Sequence, residues 1–185
     1  MDKLVKDHGG TLPREEACGL ILQALDGLHY AHTEHGLVHR DVKPANLFLA
    51  GSGRSRVTKV GDYGLAKAFD SAGLSGQTRT GDIMGTPVFT PRQQVINFKY
   101  AGPEVDVWAM AASLYFMLTG AFPRDFTKGK DPWLIVLQTP AVPIRQRNAS
   151  IPKKLADVID HALLDTPEIG FKTASEFKQA LQRAL

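Results

Sequence analysis

One segment limits the possible folds more than any other, namely Glu104 to Gly120, which reads EVDVWAMAASLYFMLTG and is apolar on nearly every side of a helix. A helix on a protein surface has one apolar stripe, whereas a helix that is apolar all round has to be covered by other elements. The chain therefore has to fold around this segment as a central helix. With 185 residues, 43% of them hydrophobic and 22% charged, it is long enough to build one domain with one sizeable core.

The sequence predicts three further helices. From Pro13, the stretch PREEACGLILQALDGLHYAH repeats apolar residues at three-to-four spacing, with acidic residues at its start and Gly36 beyond its end, which indicates an amphipathic helix. A second helix is predicted over about residues 152–164. A third starts at Thr173, because Thr173 and Glu176 have the spacing of a capping box.

The middle of the chain, residues 36–104, has no long helical pattern. Short extended stretches are predicted at Leu37–Val38, at 46–50 and at 56–60. The Gly-Ser-Gly sequence between the last two is typical of a hairpin turn, since it lacks the third glycine and the following lysine of a phosphate-binding loop. The fold class is therefore mainly α with small β-ribbons.

Composition and charge exclude several classes of function. The most apolar stretch, Val107 to Leu118, is shorter than the roughly 18 residues that cross a bilayer. The N-terminus, MDKLVKDHGG, has charges where a secretory signal is apolar, so we expect no membrane segment and a cytoplasmic location. The net charge is +3, but Lys and Arg form no basic run, so we expect no nucleic-acid partner. The single cysteine, Cys18, falls among apolar residues and is expected to be a buried thiol.

Three motifs carry the functional signal. They are VHRDVKPANLFL from Val38 to Leu49, GDYGLAK from Gly61, and GTP ending at Pro87. In this order and at these distances they resemble the signature set of the protein kinases, in particular the bacterial-type Ser/Thr kinases of the eukaryotic-like family. The resemblance covers essentially all 185 residues. It implies a protein kinase-like fold, the large C-terminal lobe over residues 1–185, with a catalytic loop at 38–49 and an activation segment at 62–93.

The resemblance implies transfer of the γ-phosphoryl group of ATP to Ser or Thr hydroxyls of a protein substrate. That reaction needs a carboxylate near the attacking oxygen and metal ions on the nucleotide phosphates. Asp41 is expected to be the carboxylate. Asn46 and Asp62 offer the oxygen ligands that Mg²⁺ prefers.

Further roles follow from the same resemblance. Lys43 is expected to contact the transferring phosphate of ATP, and together with Thr86 it is typical of Ser/Thr rather than Tyr kinases. Phe48 matches the position that forms the apolar floor under the adenine ring.

The resemblance also suggests a regulatory site. Arg40 matches an arginine that pairs with a phosphate on the activation segment. Thr78 and Thr80 are the candidate phosphosites, with Ser71 and Ser75 behind them, and an unmodified solvated loop is the alternative.

Four histidines have plainer interpretations than their spacing suggests. The resemblance implies that His39 is a packed residue of the core rather than a general base. His29, His32 and His35 recur every three residues, but no Cys or carboxylate cluster accompanies them, which disfavours a metal site.

The chain departs from the kinase pattern at three positions. Tyr63 replaces the usual Phe, Gln93 stands where a glutamate is usual, and Gly170 stands where the arginine that pairs with that glutamate is expected. Loss of one partner of a buried ion pair costs roughly 3–5 kcal/mol, whereas loss of both can be nearly neutral. We therefore expect a compensated structural variation.

Only 40 residues precede Asp41, and they include no Gly-rich loop, strand lysine or helix glutamate of a small kinase lobe. We expect a large lobe that is inactive alone and whose small lobe is supplied in cis or in trans. The alternative is a non-catalytic, kinase-like interaction module.

Overall fold

The computed structural model describes residues 1–51, 56–63 and 86–185. Within these ranges the helices are α1 (Asp2–Asp7), α2 (Arg14–His35), α3 (Arg92–Ile96), α4 (Glu104–Thr119), α5 (Pro132–Gln138), α6 (Ile144–Arg147), α7 (Lys153–Ala162) and α8 (Ala174–Ala184). The strands are β1 (Leu47–Ala50) and β2 (Val57–Val60). Single 3-10 turns lie at Pro44–Asn46, Pro87–Phe89 and Phe98–Tyr100. The fold is mainly helical, as predicted.

Helix α4 is the centre of the core, which confirms the prediction from its composition. Every residue from Val105 to Tyr115 is buried. Helices α2, α7 and α8 pack around it. Trp108 also ties α4 to the end of α7, because its Nε1 donates to the carbonyl oxygen of Leu163 at 3.0 Å. Despite this apolar centre, no helix in the described ranges has both the length and the hydropathy to cross a bilayer.

Helix α2 covers one side of α4 with the apolar face that the sequence predicted. The helix ends at Gly36, which adopts the left-handed conformation at φ 59°. Cys18 lies on the buried face of α2, and burial raises the pKa of its thiol to about 11. The cysteine is therefore a protonated core side chain, as expected.

Helices α7 and α8 lie close to their predicted positions. The capping box at the start of α8 is present, since Thr173 Oγ1 accepts from Glu176 N at 3.2 Å and the Glu176 carboxylate accepts from Thr173 N at 3.2 Å. These two reciprocal bonds satisfy backbone donors that the first helical turn leaves unpaired.

Strands β1 and β2 form one antiparallel ribbon, with Leu47 opposite Val60. The ribbon is fastened to α2, because Thr58 N donates to Gln23 Oε1 at 2.7 Å. The third predicted stretch, Leu37–Val38, forms no strand: Leu37 N donates to Ala31 O at 3.0 Å and completes the end of α2. The described part of the chain thus contains one ribbon rather than several.

Candidate active site

Four of the predicted catalytic residues, including Asp41, form one hydrogen-bonded cluster. Lys43 Nζ donates to Asp41 Oδ2 at 2.7 Å and to Thr86 Oγ1 at 3.1 Å. Asn46 Nδ2 donates to the carbonyl oxygen of Asp41 at 2.8 Å and to its Oδ2 at 3.2 Å. The side chains of Lys43 and Asp41 are 24% and 13% exposed, so the cluster is partly shielded and still open to solvent.

The loop that presents Asp41 is anchored on the buried carboxylate of Asp106, near the start of α4. Asp106 Oδ2 accepts from His39 N at 2.7 Å and from His32 Nε2 at 2.8 Å, and Oδ1 accepts from Arg40 N at 2.7 Å. Arg40 has φ 64°, a left-handed conformation that is uncommon outside glycine. Such a backbone persists only where surrounding contacts hold it, and Asp106 supplies those contacts. The motif search missed His32 and Asp106 as part of the site.

His39 is buried in the core, as predicted. Its Nδ1 accepts from Asp41 N at 3.2 Å, so the ring proton lies on Nε2, which donates to the carbonyl oxygen of Gly61 at 2.9 Å. The ring centroid lies 4.5 Å from that of Tyr63. With both nitrogens engaged, His39 is a structural residue rather than a base.

Asp62 directly follows a residue that is bonded to the catalytic loop. Gly61 N donates to the carbonyl oxygen of Asn46 at 3.0 Å, which brings the backbone of Asp62 beside Asn46. Asp62 is exposed and has φ 64°. The side-chain nitrogen of Asn46 donates to Asp41. The side-chain oxygen of Asn46 and the Asp62 carboxylate are therefore the ligands that can face a cation. Both are hard oxygen ligands, and they fit Mg²⁺, which takes few protein ligands and keeps waters and phosphate oxygens.

Tyr63, the residue that departs from the usual Phe, lies on His39. Burial, together with the nearby negative charge of Asp106, raises the pKa of the Tyr63 hydroxyl to about 12. The hydroxyl therefore stays protonated at neutral pH.

Phe48 presents an apolar surface on β1. Phe48 is 52% exposed. Gly61 lies against the ring, since a Cβ atom at that position would come within 2.9 Å of two ring carbons. The exposed ring therefore lies against the residue that precedes Asp62, and its role as a floor for the adenine ring stays a prediction.

The regulatory prediction falls largely outside the described residues. Thr78 and Thr80 both lie in the range 64–85, which the structure does not describe. Arg40 is described: its guanidinium carbon lies 5.5 Å from the ring centroid of Phe98, and its carbonyl oxygen accepts from Gln94 Nε2 at 2.7 Å. A role for Arg40 in binding phosphate stays a prediction.

The missing Glu–Arg pair has a structural explanation. A Cβ atom at Gly170 would lie 2.0 Å from the carbonyl oxygen of His161, so this backbone accommodates no side chain there. Gln93 Nε2 donates to the carbonyl oxygen of Asp165 at 2.7 Å. Asp165 in turn forms a buried ion pair with Arg124. The sequence motifs gave no signal for the Arg124–Asp165 pair, because its members are single residues in separate loops.

A cavity of about 510 Å³ lies between the α1–α2 turn and the end of α4. Three phenylalanines line it, namely Phe89, Phe116 and Phe122. The rings of Phe116 and Phe122 stack with centroids 5.2 Å apart, and Phe89 meets Phe122 edge-on at 5.6 Å. The sequence gave no indication of this cavity, because its walls come from three distant segments.

Comparison with known proteins assigns the family. The family model described as the protein kinase domain matches residues 1–179. The chain therefore belongs to the protein kinase family.

The relatives show the bacterial, eukaryotic-like type. The chain is 32% identical over 188 residues to a probable serine/threonine-protein kinase of Clostridium perfringens, which covers 98% of this chain and 26% of the relative. It is 31% identical over 183 residues to the serine/threonine-protein kinase PknB of Mycolicibacterium smegmatis, which covers 97% of this chain and 28% of the relative. The chain thus spans about a quarter of the length of these relatives.

A solved structure shows the fold. The crystallised kinase domain of PknI from Mycobacterium tuberculosis superimposes with a TM-score of 0.67 at 21% identity. The match covers 94% of this chain and 57% of the PknI chain. The described helices therefore form the large helical part of a protein kinase fold.

Proposed function

We propose that this chain is the large lobe of an ATP-dependent Ser/Thr protein kinase and that Asp41 receives the proton of the attacking hydroxyl. The hydrogen-bonded series Asp41, Lys43 and Thr86 carries this proposal. It brings a carboxylate and a cation of the catalytic loop together with a residue of the activation segment. The kinship with bacterial Ser/Thr kinases supports the same assignment.

The chain's own residues have defined tasks in this mechanism. The contacts from Lys43 and Asn46 both reach Asp41 Oδ2, so Oδ1 is the carboxylate oxygen that a substrate hydroxyl can approach. The ammonium group of Lys43 lies beside that carboxylate, where it stabilises negative charge on a transferring phosphate. Orientation and charge stabilisation supply most of the catalysis in phosphoryl transfer.

The nucleotide would lie between the metal ligands and Phe48. Asn46 and Asp62 would hold Mg²⁺, which when bound neutralises charge on the phosphates of ATP. The exposed ring of Phe48 would support the adenine. The remaining contacts to ATP would come from a small lobe, in the same polypeptide or in a partner.

The protein substrate would lie over the activation segment. Phe89 ends the 3-10 turn that follows Thr86, and Thr86 is joined to Asp41 through Lys43. A polypeptide whose Ser or Thr reaches Asp41 therefore passes close to the cavity lined by Phe89, Phe116 and Phe122. That lining favours an apolar substrate side chain.

Arg40 would bind a phosphate placed on Thr78 or Thr80. Its guanidinium already lies beside the 3-10 turn that contains Phe98, and a planar guanidinium matches phosphate oxygens in a bidentate manner. A cytoplasmic location stays a prediction from the sequence.

The test is phosphoryl transfer from ATP with Mg²⁺ to a generic Ser/Thr protein, by the chain joined to the small lobe of a bacterial relative. We expect transfer by the fusion, and a loss of roughly 10²–10⁴-fold for Asp41→Asn, the range that general base catalysis contributes. Asp62→Asn should also lose most activity, whereas Asp7→Asn on exposed α1 should keep it. Full activity of Asp41→Asn would overturn the assignment.

A non-catalytic interaction module is the second candidate. The observation that favours it is the pair of exposed apolar side chains on the ribbon, Phe48 at 52% and Val57 at 47% exposure. Two results together would favour this candidate over the first. The fusion would fold but transfer no phosphate, and the chain would bind a partner protein in a manner that Phe48→Ser abolishes.

A further inference from the structure

Arg124 and Asp165 form an ion pair in the core. Arg124 is 2% exposed and Asp165 is 4% exposed. The pair joins Arg124 Nη2 to Asp165 Oδ2, and the guanidinium carbon lies 4.7 Å from the ring centroid of Trp108. Two charges taken out of water need further hydrogen bonds to offset the loss of solvation. The location of those bonds therefore indicates what the pair holds.

Most of these bonds reach one short stretch of chain, residues 90–93. Arg124 Nη1 donates to the carbonyl oxygen of Thr90 at 3.2 Å. Asp165 Oδ2 accepts from Arg92 N at 3.1 Å, and the Asp165 carbonyl oxygen accepts from Gln93 Nε2 at 2.7 Å. The end of the activation segment is thus held from both sides of the ion pair.

The same pair also reaches α5. Arg124 Nε donates to the carbonyl oxygen of Thr139, directly after that helix, at 2.8 Å. Each of the three guanidinium nitrogens therefore has its own acceptor, on Asp165, Thr90 and Thr139. Only the planar fork of arginine supplies this set of donors from one side chain.

From residue 90 the contacts continue to the catalytic loop. Thr90 Oγ1 donates to the carbonyl oxygen of Thr86 at 3.1 Å, and Thr90 N donates to that of Pro87 at 3.2 Å. Thr86 Oγ1 accepts from Lys43 Nζ at 3.1 Å, and Lys43 also bonds Asp41. A shift of Thr90 would therefore displace Thr86 relative to Lys43.

We propose that Arg124 and Asp165 are positioning residues, which hold residues 86–93 and thereby place Thr86 against Lys43. They take the place of the Glu–Arg pair whose positions are here Gln93 and Gly170. The placement of the segment stands on the contacts alone, whereas its effect on phosphoryl transfer rests on the proposed function.

Hydrogen exchange of the full chain, followed by mass spectrometry, tests the placement without any activity. Replacing both partners, Arg124→Met with Asp165→Leu, avoids an unpaired buried charge. We expect peptides covering residues 86–97 to exchange about tenfold faster, while peptides of α2 and α4 change by less than about twofold. The matched control removes an exposed ion pair, Lys153→Ala with Asp157→Ala, and should leave residues 86–97 unchanged. Unaltered exchange at 86–97, or an equal rise everywhere, would overturn the proposal.

Arg124→Lys is the second variant. It keeps the charge but replaces the fork by one ammonium group, so we expect an intermediate rise in exchange at 86–97. Exchange like that of the wild type would show that the fork is dispensable and would also overturn the proposal.

A kinetic readout then links the placement to function. In the active fusion, the Arg124→Met, Asp165→Leu variant should raise KM for the protein substrate about tenfold or more and leave KM for ATP unchanged. If the wild-type fusion is inactive, the proposed function fails while the exchange result still decides the placement. Equal changes in both KM values would contradict a role confined to the substrate segment.

Discussion

Two buried carboxylates solve the same problem in different ways. Asp106 and Asp165 are both buried, and both fasten a loop to the helical core. Asp106 is satisfied by two backbone N–H groups and a histidine ring. Asp165 is satisfied by one backbone N–H group and a full cation, Arg124.

The difference shows what each loop needs. The catalytic loop offers consecutive backbone donors at residues 39 and 40, because Arg40 adopts a left-handed conformation that turns its N–H toward Asp106. The end of the activation segment offers the carbonyl oxygen of Thr90 as well as one N–H, and a carbonyl oxygen requires a donor such as arginine. Burial lowers the pKa of the Arg124 guanidinium, and the charge of Asp165 opposes that change.

The largest effect is expected from Asp106→Ala. The substitution leaves the N–H groups of His39 and Arg40 without their acceptor in the core, and it releases His32. We expect a loss of roughly 3–5 kcal/mol in the free energy of unfolding, measured by urea denaturation. Asp131→Ala, which removes the exposed cap of α5, serves as the control and should cost about 1 kcal/mol. Equal costs for the two variants would show that Asp106 is not a special anchor.

The second prediction compares the loss of the whole ion pair with the loss of either partner alone. Arg124→Met or Asp165→Leu alone leaves a buried charge unpaired, so each should cost roughly 3–5 kcal/mol. The double variant should cost clearly less than the sum, with a coupling energy of about 1–3 kcal/mol in a double-mutant cycle followed by urea denaturation. Strictly additive losses would mean that the two side chains act independently.

The sequence predicted those parts of the fold whose signal is local. Helix α4 was predicted because its composition has no polar face, and α8 because Thr173 and Glu176 define its start. Helices α1, α3, α5 and α6 have 4 to 7 residues, too short to display a helical period. They depend on packing that no local pattern records.

The residues of the site also differ in whether a local motif could predict them. The grouping of Asp41, Lys43 and Asn46 comes from one motif, and the loop places all three within a few residues. Arg124 and Asp165 are 41 residues apart, and the walls of the cavity come from three segments of the chain. Contacts of this kind arise only when the helices pack, so a motif search could not find them.

The smallest predicted effect concerns Asp160, a carboxylate that is less buried than Asp106 and Asp165. Asp160 on α7 accepts from Ile144 N at 2.8 Å, and burial raises the pKa of its carboxyl group, with the charge of Asp157 adding to the shift. Because the folded protein binds this proton more tightly than the unfolded chain, stability is fully present at acidic pH and falls as pH rises through the raised pKa.

Asp160→Asn should remove that pH-dependent loss while its amide oxygen still accepts from Ile144 N. The variant should therefore gain stability relative to the wild type between pH 4 and pH 7, by less than about 1 kcal/mol because solvent screens a partly exposed group. Urea denaturation at the two pH values measures the gain, with Asp7→Asn on the surface of α1 as the control. A loss of stability in the variant would instead show that the folded protein stabilises the ionised form of Asp160.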